Sequence, residues 1–366
     1  MKLRNYICIG LLILVRVTNC EAQQDSVKNS WIVLGAPFYS PETSLGAGIL
    51  SVYSFKFKNE PKDSKLSQVS FSAGATLLGQ LLFYVPFNIY LNEEKFNFYG
   101  ELGFYDYSYD FYGIGNEVDP FQIENFSVMY PKIRLNAQKL IIPNLYMGLT
   151  YWFENYKIKE VEEGQLLESG EITGSSGGIT SGAGITATYD NRREVFFPTK
   201  GVFAQLYTVS NTAFLGSDFD YTTIEFEAAT YKKLAEGVMA FQTKNTWIIG
   251  DAPFNQLAQL GSTKHMRGYY LGRYRDKNYW STQAEYRTEP LFWRIGFAAF
   301  AGIGLVEPTW QDFNIKDSHE VLGLGMRLQL DKIKKINLRI DVALGDNEGL
   351  QNKYLPAFYL TLGEAF

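Results

Sequence analysis

The sequence predicts an all-β fold, a 16-stranded antiparallel transmembrane β-barrel with a long sixth outward loop. Three observations lead there. Hydrophobicity alternates with a period of two along almost the whole chain, which is the pattern of strands with two unlike faces. The 366 residues include 25 Tyr, 27 Phe, 6 Trp and 33 Gly, a usage typical of all-β proteins and of barrels that set aromatic rings at both membrane interfaces. An export segment opens the chain, and no later apolar run approaches the length of a spanning helix.

The export segment has a basic start at Lys2 and Arg4, followed by the apolar run YICIGLLILV over residues 6–15. That run is too short to cross a bilayer as a helix. Cleavage after Ala22 makes residues 1–22 a signal peptide and 23–366 the barrel. A second reading is lipid attachment at Cys20, because Val17-Thr18-Asn19-Cys20 loosely fits a lipoprotein signal, with Asn19 bulky for that role. Cys8 and Cys20 both lie in this segment, so cleavage after Ala22 leaves a chain that folds without disulfides.

The alternation assigns faces strand by strand. In FNFYGELGFYDY, Phe96, Phe98, Leu102 and Phe104 oppose Asn97, Glu101 and Tyr105. In KIRLNAQ, Lys132, Arg134, Asn136 and Gln138 oppose Ile133, Leu135 and Ala137. INLRIDV sets Asn337, Arg339 and Asp341 against Ile336, Leu338, Ile340 and Val342, and GMRLQL sets Arg327 and Gln329 against Met326, Leu328 and Leu330. Strands are expected at 31–39, 44–57, 66–78, 81–91, 96–107, 126–138, 144–157 and 178–189. The second eight fall at 201–209, 219–232, 237–249, 278–288, 291–305, 321–330, 335–344 and 355–365. Sixteen is even, as a closed bacterial barrel requires.

A soluble sandwich would also alternate. Export, strand length and a last strand ending in an aromatic residue weigh for the membrane, where a strand needs only about 9 to 11 residues. Connection lengths add to this. Asn92-Glu93-Glu94-Lys95, 140–143, Leu234-Ala235-Glu236, Glu289-Pro290 and 331–334 are short, and long stretches follow Tyr107, Lys157, Ile249, Leu305 and Leu344. The long stretches would face outward and the short ones the periplasm. The first two outward connections, at Pro41-Glu42-Thr43 and Gly79-Gln80, are short and depart from this rhythm.

The net charge of -5 gives no broad basic field, so nucleic acid is not an expected partner and outer-membrane lipid is. Inward charges at Lys132, Arg134, Glu225, Glu227, Arg327, Arg339 and Asp341 are of both signs, which suits a hydrated, cross-linked lumen without strong ion selectivity. Only His265 and His319 are present, both in loops, and no nucleophile-elbow motif accompanies either. No catalytic residue, metal site or cofactor is expected, and glycines in GAGIL and GAGIT mark strand bends and close approaches.

The sixth outward loop carries Leu260-Gly261-Ser262 and, at its tip, Met266-Arg267-Gly268-Tyr269. This tip resembles the Val/Ile-Arg-Gly-Phe/Tyr motif of the bacterial surface antigen barrels, the outer-membrane family that includes BamA and TamA. Three other stretches are similar to that family in the same order. YDNRREVFFPTKG holds the Asp-x-Arg and Pro-x-x-Gly elements as Asp190, Arg192, Pro198 and Gly201. AEYRTEP over 284–290 resembles the strand after the loop, and FYLTLGEAF resembles the final-strand signal, with Phe366 last.

The resemblance implies that the sixth loop folds back into the lumen. Ser281, Gln283, Glu285 and Arg287 share the polar face of one strand, so Glu285 points inward and is the expected partner of Arg267. Gly268 would give the tight backbone of the tip. Family members often place a second acid on the next strand, where this chain has Gly302, so the latch is expected to hold one carboxylate and to be loose.

By resemblance, the protein would assist assembly, insertion or translocation of outer-membrane or exported polypeptides. Its partners would be client outer-membrane proteins and a separate periplasmic protein, since the family's periplasmic domain array is missing from the sequence. A first strand at 31–39 that is short and holds Gly35 and Pro37 would make a weak seam with the last. The other reading is a passive pore or a structural, lipid-organising barrel.

Overall fold

A computed structural model describes residues 29–58, 60–61, 64–119, 121–192, 194, 197–331, 335–345 and 356–366. The export segment, the cleavage position and Cys20 lie outside the described residues. The first eleven strands are β1 (Ser30–Ser40), β2 (Ser44–Phe55), β3 (Ser67–Thr76), β4 (Leu81–Leu91), β5 (Phe96–Phe111), β6 (Glu124–Ile142), β7 (Leu145–Val161), β8 (Gly178–Asp190), β9 (Gly201–Asn211), β10 (Tyr221–Leu234) and β11 (Gly237–Gly250). Two short strands follow, β12 (Ala258–Gln259) and β13 (Arg275–Asp276), and then β14 (Asn278–Thr288), β15 (Ile295–Glu307), β16 (His319–Asp331), β17 (Ile336–Gly345) and β18 (Pro356–Leu362).

Sixteen of these strands close into one antiparallel barrel, β1 to β11 and β14 to β18, each beside its neighbours in chain order. Alternation drives the closure. Side chains such as Leu149 and Leu324, each 68% exposed, face away from the bore, while Asn136, Gln138 and Arg327 between such positions are buried inside it. Closing the sheet gives almost every backbone N–H and C=O a ladder partner, the condition for crossing lipid. The second sheet, β12 with β13, lies within the sixth loop, a feature the alternation did not announce because each strand has only two residues.

The strands are unequal in length. β5, β6 and β7 have 16, 19 and 17 residues, whereas β18 has 7. The final strand therefore ends earlier than its alternation suggested. Gly363, at φ 81°, turns the chain off the wall, and Glu364 and Ala365 are buried in the bore.

The weakness of the seam also has a different origin from the one expected. β1 is 11 residues long and pairs with β2 throughout, Pro37 included, so it is not a short strand. Its ladder to β18 consists of a single pair, Tyr39 with Leu360. Because β18 leaves the wall at Gly363, residues 31–36 of β1 have no ladder partner on that side among the described residues.

Candidate functional site, the lumenal loop and its arginine network

The sixth loop leaves β11 after Gly250 and rejoins the wall at β14. The β12–β13 pair gathers its two arms at the base, and Arg275 donates to the Gly272 carbonyl at 3.0 and 2.9 Å. Burial pulls Arg275 down to about 10. Beyond this base the loop packs into the apolar centre of the bore, where Leu260, Met266 and Tyr269 are fully buried against Tyr279, Phe300 and Val321.

Met266 and Gly268 bend the tip, at φ 50° and 136°. A side chain at 268 would run into Val321 and the Gly345 backbone, so the bend and the close approach both require glycine there. This geometry aims Arg267 at the wall with zero exposure. Its Nη2 donates to Glu285 at 2.5 Å and its Nη1 to Asp341 at 2.6 Å, while the guanidinium lies 3.5 Å from the centre of the Phe300 ring. Tyr269 Oη donates to the Glu320 carbonyl at 2.5 Å, fixing the next residue to β16.

The structure thus brings Arg267 and Glu285 together, but the expectation of a single carboxylate is wrong. Asp341 on β17 is the second acid. It fits because its partner across the ladder is Gly325, which leaves room for the carboxylate and for Arg327 beside it. Gly302, the position where an acid was missing, instead makes space for the Met266 sulfur. Alternation had already marked Asp341 as inward, yet only the register of β16 and β17 says that it meets the loop.

Arg267 belongs to a larger network. Arg327 donates to Asp341 at 2.6 Å, to Glu285 at 3.3 Å and to Glu364 at 2.8 Å. Arg339 lies 3.3 Å from Asp341 and donates to the loop carbonyl of Thr263 at 2.6 Å. Arg287 stands 3.8 Å from both Glu285 and Glu364 and donates to the main-chain oxygens of Pro198 at 3.1 Å and Phe366 at 2.9 Å. Buried charges of this kind persist only when paired and hydrogen-bonded on several sides.

The strand-turn residues lie at the same end of the barrel as Arg287. Arg192 pairs with Asp190 through both carboxylate oxygens, at 2.9 and 3.0 Å, and stacks on Phe203 at 4.3 Å. Gly201, at φ 114°, starts β9. Pro198 reaches the network through its carbonyl, and Phe366 packs on the cluster of Phe197, Tyr231 and Val238.

Three contributors escaped the sequence reading. Tyr359 on β18 accepts from Gly268 N–H at 2.9 Å, and Glu42 in the β1–β2 turn accepts from Leu271 N–H at 2.7 Å. The loop therefore touches both sides of the seam. Burial raises the Glu42 carboxyl above its ordinary value, with Ser40 and Leu271 hydrogen bonds opposing. Glu364 is the third. An isolated Glu in a turn and a Tyr in a strand carry no pattern that distinguishes them from others of their kind.

Around the loop the bore is divided. A cavity of about 290 Å³ lies between the loop and the wall near Lys132, Glu154 and Lys244, and one of about 400 Å³ lies among Tyr90, Asn97, Tyr99 and Gln205. Both meet Arg134, which stacks on Trp152 at 4.1 Å.

Residues 87–366 match the Omp85 superfamily domain. In fold, the chain is similar to BamA from Haemophilus ducreyi lacking POTRA domains 1-3, with a TM-score of 0.62 at 13% identity over 92% of this chain and 70% of that one. It is also similar to CdiB from Acinetobacter baumannii, with a TM-score of 0.57 at 9% identity over 91% of this chain and 59% of that one. No curated protein sequence matches it.

Proposed function

The chain belongs to the Omp85 superfamily of outer-membrane β-barrels, and from that premise we propose that it assists the assembly, insertion or translocation of outer-membrane or exported polypeptides. The observation that carries this reading is the open edge of β1. Residues 31–36 lack a ladder partner toward β18 among the described residues, and Trp31 and Val33 in that stretch are 69% and 52% exposed. An unpaired strand edge is a template for another strand, and in hydrocarbon each unsatisfied backbone group costs several kcal/mol. A client segment paired there would satisfy those groups.

In this reading the short turns face the periplasm, the long connections face outward, and a separate periplasmic protein delivers clients to the short-turn end. The filled bore favours a wall-side route over a passive pore, because Arg267 and its neighbours hold the loop across the lumen. Depletion of the protein followed by an inventory of the outer membrane tests the proposal. Loss of several other barrels or of a secreted polypeptide is expected; an unchanged inventory with altered permeability would replace it with the pore.

A further inference from the structure

The cavity of about 400 Å³ sits at the short-turn end of the barrel, and no residue of the sixth loop lines it. Lys65 in the β2–β3 connection and Asp190 and Arg192 at the end of β8 bound it there. Its wall comes from β4 to β9, and two kinds of side chain dominate it, tyrosines and primary amides.

The strands orient the amides. Gln138 on β6 is buried and donates from Nε2 to the hydroxyls of Thr186 and Thr188, each at 3.0 Å. Asn136, also buried, donates from Nδ2 to the Tyr99 carbonyl at 3.2 Å. Gln205 on β9 donates to Tyr99 Oη at 3.0 Å and to Thr188 Oγ1 at 3.1 Å. The N–H groups are thereby turned to the wall, while Asn136 Oδ1 and Gln138 Oε1 accept from no donor among the described residues. Buried acceptors of this kind call for a donor. A ligand that complements this wall brings O–H or N–H groups.

Arg134, where the two cavities meet, supplies the opposite polarity. Its guanidinium lies on Trp152 at 4.1 Å, and its ion pair with Glu101 is 3.9 Å long, beyond hydrogen-bond range. The Arg134 side chain is 32% exposed, so its N–H groups can meet an oxygen of a ligand. Formal charges around the cavity nearly cancel, with Lys65, Arg134 and Arg192 against Glu101 and Asp190. A phosphate-like anion suits such a site poorly, because it has little hydrogen to donate and finds no net positive field. The rings of Tyr90, Tyr99 and Tyr207 add apolar surface between the polar groups. A sugar ring combines both needs, with hydroxyls around its edge and C–H groups on its faces.

We propose that this cavity is a binding site for a neutral saccharide of one or two rings. Its hydroxyl or amide donors meet Asn136 and Gln138, and one of its oxygens meets Arg134. The volume lies at the small end of the range for ligand pockets, which suits a ligand of that size. The site uses neither the sixth loop nor the edge of β1, so it stands apart from polypeptide handling. Two sources carry this chemistry, the end of a cell-wall glycan strand and a free sugar.

The test uses the full chain folded in a detergent without a sugar headgroup. Calorimetric titration with N,N′-diacetylchitobiose, maltose and inorganic phosphate should show saturable binding of at least one disaccharide and none of phosphate. A Kd on the order of 1 mM is expected for so small a ligand. Gln138→Met and Asn136→Leu should each weaken binding about tenfold or more by removing a buried acceptor. Gln205→Met serves where either variant fails to fold. Retention on purified glycan sacculi, released by the disaccharide, would support the site with the cell wall as source, and disaccharide binding without retention would support it with a free sugar. Three results overturn the proposal: a wild type that binds neither disaccharide, so that water alone fills the cavity; phosphate binding in their place; or folded variants that bind as the wild type does.

Discussion

Arg267 shows why the residue type matters at the loop tip. A guanidinium is planar and presents its donors as a fork, so one side chain reaches Glu285 through Nη2 and Asp341 through Nη1 while its face covers Phe300. A lysine is a point charge on a flexible stem and cannot do all three. Removing one partner of a buried ion pair costs about 3–5 kcal/mol, which is about a hundredfold or more in the population of the released loop. In folded barrels Arg267→Ala should therefore make the 261–275 segment much more sensitive to protease, with Arg267→Lys intermediate and Asp341→Asn close to it. Cleavage rates equal to the wild type in all three would remove the latch role.

At the scale of elements, the seam is the place where strand length becomes mechanism. A 7-residue β18 beside an 11-residue β1 yields one ladder pair, where β17 and β18 share seven. The loop compensates from inside, bonded to Tyr359 on one side and to Glu42 in the β1–β2 turn on the other. Parting of the seam must break one of these attachments. Tyr39 and Leu360 face each other in an antiparallel pair, where Cα atoms lie about 4.5–5.5 Å apart and a disulfide fits. Cysteines at both positions should abolish the assembly phenotype when oxidised and restore it on reduction. Full activity with the bond formed would mean that clients do not pass this edge.

For the whole molecule, the relevant quantity is how much of the bore stays open. Loop, arginine network and the Arg134–Trp152 stack leave separate cavities of about 290 and 400 Å³ that share Arg134 as a wall. Wild-type protein in planar bilayers should conduct poorly, and deletion of residues 262–272 should raise single-channel conductance severalfold. A large, steady wild-type conductance would place the loop outside the lumen in the membrane.

The period-two pattern was enough to predict the strands and their faces, because burial of one face per strand is a local property; export, strand length and the rhythm of short and long connections turned those strands into a barrel. FNFYGELGFYDY and KIRLNAQ each state which side meets lipid, and the even strand number follows from counting them. Arg267 stood out because its motif is contiguous, and Glu285 because its strand alternates cleanly. Asp341, Tyr359, Glu42 and Glu364 did not, since each becomes a partner only through register, closure or an inward turn that joins residues distant in the chain. The sequence by itself determined the architecture and the inward-facing set of charges. Tertiary structure alone decided which of those charges meet, since pairing depends on distances across the bore that strand periodicity does not encode.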